Sequence, residues 1–210
     1  MKFIFFMFIL IGILGTGNSQ TISIGSQVWD PKNLEVSTFR NGDPIREITT
    51  NEDWEKAGED KQPAWCYYNY DPANGKKFGK LYNWFAVNDP RGLAPIGFHI
   101  PSDSEWILLS NFLGGNKVAG KKMKMKPIWE NEIQIGGWNG DNSFGFSCLP
   151  GGYGFYFGGF DFLGDYVYFW SSSEGSENSA YTRLLSGEDD VLARASYFKG
   201  GALYVRCLKD

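Results

Sequence analysis

The sequence has 210 residues, a formal net charge of -4 at pH 7 and 17% aromatic residues. Its mild acidity speaks against nucleic acid and anionic membranes as partners, because both select basic faces. A chain of this length buries roughly 70% of its unfolded surface, so folding requires neither a structural metal nor a dense disulfide network.

The N-terminus reads as a secretory signal. Met1-Lys2 is followed by an apolar run from Phe3 to Leu14, then by Gly15, Thr16, Gly17, Asn18 and Ser19. A charged start, an apolar middle and a small-residue exit place cleavage between Ser19 and Gln20. The run is shorter than the roughly 20 residues a membrane-spanning helix needs. The mature chain, 20–210, is expected to form one domain outside the cytoplasm: secreted, periplasmic or on the outer cell surface. It is not expected to span a membrane.

Thr21-Ile22-Ser23-Ile24, Gly25-Ser26 and Gln27-Val28-Trp29 predict a hairpin by alternation around a turn. Asn51 is positioned to cap a short helix ended by Gly58. Leu81, Trp84, Phe85 and Val87 predict a helix over Gly79–Val87, stopped by Pro90. Ser102 and Glu105 form the pattern of a capping box, so a second helix is expected, with Trp106, Leu109 and Leu113 on one face and Gly114-Gly115 as its stop. After Lys126 the pattern turns to strands and loops. Long loops are expected through Gly136–Ser143 and Gly151–Gly164. Strands are expected at Val167–Ser171, Ala180–Leu185, Val191–Phe198 and Leu203–Leu208, the last two forming a hairpin about Lys199-Gly200-Gly201-Ala202.

Several segments together resemble one bacterial family: Pro63-Ala64-Trp65-Cys66-Tyr67-Tyr68, Gly79-Lys80-Leu81-Tyr82-Asn83-Trp84, Gly97-Phe98-His99-Ile100-Pro101-Ser102-Asp103, Leu149-Pro150-Gly151-Gly152-Tyr153, Trp170-Ser171-Ser172-Ser173-Glu174 and Val205-Arg206-Cys207. In order and extent they are similar to the Fibrobacter succinogenes major paralogous domain. The resemblance implies an α+β, C-type-lectin-like fold with a mixed, mainly antiparallel sheet, two helices and long loops, more remotely like formylglycine-generating-enzyme domains. It implies an exported bacterial protein and no established activity.

Chemistry-bearing residues are sparse. His99 is the single histidine, and the three cysteines are Cys66, Cys148 and Cys207. One histidine and scattered cysteines lack zinc spacing, and neither the cysteine pair nor the multi-histidine iron site of the remote oxidases has a counterpart. No catalytic residue and no metal ligand is assigned. In an exported chain, Cys66 and Cys207 are the expected disulfide, with Cys148 a buried free thiol. No cofactor is expected, with calcium kept as an alternative at the oxygen-rich stretches Trp138–Asn142, Glu188–Asp190 and Asp71–Gly75.

The glycine- and ring-rich stretch Gly152–Trp170 is too dense in rings for all of them to be buried easily, and exposed rings mark binding surfaces. The expected ligand contacts are Trp138, Asn139, Asp141, Tyr153, Tyr156 and Phe160. The function expected is a secreted or cell-surface binding module for polysaccharide or a surface protein. An enzyme remotely related to the oxidases, or a structural surface-assembly domain, is the alternative.

Overall fold

The computed structural model describes residues 21–126 and 138–210. The expected signal segment 1–19 and the first part of the loop expected from Gly136 lie outside the described residues.

The elements, numbered over the described residues, begin with the expected hairpin, β1 (Ile22–Ile24) and β2 (Gln27–Trp29). Then come β3 (Arg46–Glu47), α1 (Asn51–Glu59), β4 (Ala64–Cys66), α2 (Pro72–Phe78), β5 (Leu81–Tyr82) and α3 (Trp84–Val87). β6 (Phe98–His99), α4 (Asp103–Phe112) and α5 (Asn116–Met123) follow. The second half holds β7 (Gly151–Gly154), β8 (Phe160–Leu163), β9 (Tyr166–Ser176), β10 (Ser179–Ser186), β11 (Ala193–Phe198) and β12 (Leu208–Lys209). The sheets run β1-β2-β12-β6, β11-β10-β9-β7-β8 and β3-β4-β5. Pairing is antiparallel except β3 with β4 and β7 with β9. The architecture is therefore mixed, with mostly antiparallel sheets and short helices.

Alternation along the strands builds two cores. Trp65, Trp170, Leu203, Val205 and Cys207 face one, with Tyr82 and Trp84; Cys66, Phe169, Tyr204 and Leu208 face the other, with Trp29, Trp54, Trp106 and Phe146. Neighbouring residues of an extended chain point to opposite sides, so one run supplies both cores. This parity also corrects the expected disulfide. Cys66, Cys148 and Cys207 are all free and buried, and Cys66 and Cys207 belong to different cores.

The capping box of α4 forms as expected: the Ser102 hydroxyl accepts from the Glu105 amide while the Glu105 carboxylate accepts from the Ser102 amide at 2.8 Å. Elsewhere local signals were overridden. The Gly79–Val87 helix shrinks to α3, because Asn83 caps it through the Ala86 amide and Leu81–Tyr82 pairs with β4. The apolar spacing there serves a strand followed by one helical turn. Thr50, not Asn51, caps α1, which runs past Gly58; the Asn51 side chain instead accepts from the Gly159 amide at 2.8 Å. Helices α2 and α5 were not foreseen, so five α-helices stand among the described residues where three segments were expected to be helical. Gly151–Gly164 is likewise no open loop, since β7 and β8 form a hairpin.

The last expected hairpin is also absent. Trp54 donates its indole N–H to the Gly200 carbonyl at 2.8 Å, and the Trp84 amide donates to the Lys199 carbonyl at 2.8 Å. Held by these bonds, the turn sends Ala202, Leu203 and Tyr204 away from β11. They bridge instead to Gly154, Tyr82 and Phe169.

Candidate functional site

Five segments converge on an open cleft of about 340 Å3. Helix α1 contributes Glu55, Gly58 and Glu59, with Lys61 just beyond it; α3 contributes Phe85; the β7–β8 turn contributes Tyr156; the β9–β10 turn contributes Glu177 and Asn178; and β11 with its following turn contributes Phe198, Lys199 and Gly200. Tyr156 and Phe198 are 45% and 56% exposed, yet their ring centroids lie only 4.9 Å apart. Two large rings held together in solvent present an apolar face that folding does not use. Gly58 and Gly200 make the close approach behind them, since a Cβ on Gly58 would lie 3.4 Å from the Gly200 Cα.

The floor is fixed. The Lys199 ammonium donates to the Glu174 carboxylate and to the Glu177 carbonyl (2.6 Å) and lies 4.8 Å from the Trp84 ring centre. The rings continue outward, with Phe157 5.1 Å from Tyr156 and stacked at 5.1 Å on Phe155, which meets Tyr153 at 5.4 Å. Such a face offers stacking surface, and the flanking carboxylates and amide offer hydrogen bonds in defined directions.

The six residues expected to contact ligand do not share this site. Tyr156 lines it. Tyr153 is buried among Phe155, Phe162, Tyr168 and Tyr197. Phe160 is half-buried against Tyr68 and Tyr70. Trp138 is buried and donates its indole N–H to the Cys148 carbonyl at 3.1 Å. Asp141 accepts from the Ser143 amide at 2.9 Å, and hydrogen bonds from Ser143 hold its carboxyl below its ordinary value.

Asn139 is exposed, but its side-chain oxygen accepts at 2.6 Å from the ammonium of Lys124. That ammonium is fully buried and also donates to the carbonyls of Ser186 (2.9 Å) and Asp189 (2.6 Å). Two of the oxygen-rich stretches thus meet on a lysine. Asp71, in the third, caps α2 through the Ala73 amide. Among the described residues no three His, Cys, Asp or Glu side chains converge as a metal centre.

His99 is taken on both ring nitrogens, by Asp210 at 2.8 Å and Glu105 at 2.9 Å. The serines at 171–173 are therefore not its hydrogen-bond partners; Ser173 instead accepts from the Asp103 amide at the start of α4. Burial pushes the Cys148 thiol up to about 12, leaving it protonated and poorly nucleophilic.

Phe85, Phe198, Glu55, Glu59 and Glu177 were missed from sequence because they come from separated segments with no common period. The usable signal was the exposure implied by α1: Glu55 and Glu59 stand one turn apart on the face opposite Trp54 and Ala57. With the geometry in hand, comparison with known proteins adds a family. The family model of the Fibrobacter succinogenes major domain matches residues 22–209. No curated protein and no solved structure matches the chain.

Proposed function

Because this chain belongs to the Fibrobacter succinogenes major domain family, we propose that it is an exported binding module of C-type-lectin-like fold, working in the periplasm, in the medium or on the outer cell surface, and that the cleft at Tyr156 and Phe198 takes a polysaccharide. The observation that carries the reading is the pairing of two exposed rings with carboxylates and an amide in one open cleft. Sugar rings offer apolar C–H faces edged by hydroxyls, and a site for them combines stacking surface with a few placed polar groups. The lectin-like assignment is supported by the closing strand β12 lying beside the first hairpin. The buried, protonated Cys148 and the carboxylate-held His99 favour binding over catalysis.

The test is glycan binding by residues 20–210, first by array and then by titration calorimetry, with Tyr156→Ala and Phe198→Ala alongside. Each truncation is expected to weaken binding about tenfold, equivalent to about 1.4 kcal/mol, while the unfolding midpoint stays near that of the parent. Unchanged affinity in both variants would remove the cleft from consideration.

A further inference from the structure

Resting on the reading of the cleft as a glycan site, we propose that its ligand is an amino-sugar polysaccharide bearing free, protonated amines. The argument is one of uncompensated charge. Glu55, Glu59 and Glu177 line the cleft and are all exposed. None of them takes part in an ion pair among the described residues. On the positive side, Lys199 is already neutralised by Glu174, which stands outside the lining. Lys61 is the remaining lining ammonium. Three carboxylates therefore face the ligand against one uncommitted cation.

Geometry adds to charge. Glu55 and Glu59 project from α1 one helical turn apart, and Glu177 comes from the β9–β10 turn, so carboxylates arise from two elements lining one cleft. The same lining holds Phe85, Tyr156 and Phe198, whose ring faces attract cations as well as apolar C–H groups. A polymer of uronic acids or sulfated sugars would meet like charge. A neutral glycan would stack on the rings and leave the carboxylates unused. A glycan with ammonium groups along its length engages both.

Each carboxylate is solvated and contributes little on its own against a partner charge. Acting together, they are expected to give a preference of about tenfold. The experiment measures affinity at mildly acid pH, where the amine is charged, for three oligosaccharides of equal length: glucosamine, its fully N-acetylated counterpart and a uronic acid. Parent protein is compared with the triple variant Glu55→Gln/Glu59→Gln/Glu177→Gln and with Tyr156→Ala. The free-amine oligomer is expected to bind about tenfold tighter than the acetylated one, with the preference lost in the triple variant and reduced by added salt.

Equal or tighter binding of the acetylated oligomer, still weakened by Tyr156→Ala, would overturn the amine preference and leave the glycan cleft standing. Failure of every oligosaccharide to bind would overturn both. So would a lysine-rich peptide that binds the cleft more tightly than any of the sugars, since the charge would then be read by a protein.

Discussion

Lys124 carries a charged amine into a place without solvent, and its surroundings explain why the fold tolerates it. Three oxygens, from Asn139, Ser186 and Asp189, take the three protons of one ammonium. Burial lowers its affinity for the proton, against the opposing pull of Asp190 and Asp189. The ammonium thus serves as a tethered internal cation that gathers the segments at 139 and 186–189. Replacing it with methionine keeps most of the stem and leaves three acceptors without their donor. The expected loss is about 2–5 kcal/mol, read from urea denaturation, with Lys124→Arg less damaging than Lys124→Met. An unfolding midpoint unchanged in Lys124→Met would show that the oxygens find other donors. Asn139 was legible as a polar loop residue, but its partner was not, because Lys124 looked like one more surface lysine in the run Lys121-Lys122-Met123-Lys124.

At the scale of elements, helix α4 is the part most plainly written in the sequence. Its capping box, its apolar Trp106 and Leu109 and its glycine stop are all local. Its tertiary anchors are long-range: Asp103 accepts from the buried Arg183 at 2.8 Å and from Arg194 at 2.9 Å, and Glu105 reaches His99 on β6. Burial would lower the His99 pKa, but hydrogen bonds to Asp210 and Glu105 outweigh it, and the net shift is upward. Burial would likewise raise Glu105, yet bonds from Ser102 and His99 leave it lowered.

The two shifts define a window. The histidine contribution is complete below its unfolded value, about 6.5, and is lost as pH rises through the raised folded value; the glutamate contribution is present above about 4.3 and is lost as pH falls. His99→Gln is therefore expected to destabilise most between roughly pH 4.3 and 6.5, by no more than about 1 kcal/mol because the groups are partly solvated. Thermal melts of parent and variant across pH test this. A gap that widens above neutrality would contradict it.

For the whole molecule, the sequence reading succeeded where a signal was short-range and failed where strands had to choose partners. The hairpin of β1 and β2 and the strands β9, β10 and β11 follow from alternation and turns, while the pairing of the last three was not foreseen. The course after Phe198 was not legible, because it is set by Trp54 and Trp84, far away in sequence. The cysteines failed in the same way. Each sits in a strand-like run, and their separation into two cores appears only once the runs are packed. Alkylation of the unfolded, unreduced protein is accordingly expected to label three thiols, and reductant should leave the melting midpoint where it was. Recovery of a Cys66–Cys207 peptide would refute this.

The lacing of the final run has a consequence for how the molecule comes into being. Leu208 pairs with Trp29, the Asp30 amide donates to the Cys207 carbonyl, and the Leu34 amide donates to the Val205 carbonyl. Tyr82 and Phe169 bridge to Leu203 and Tyr204. Both cores therefore wait for residues near 203–208, which synthesis delivers after the strands they complete. Such distant pairings make the closing step slow, because a long loop loses its entropy before any contact rewards it. Until residues 203–208 emerge, a growing chain lacks the run that closes both cores, and an unclosed chain is the form that the proposed export would thread.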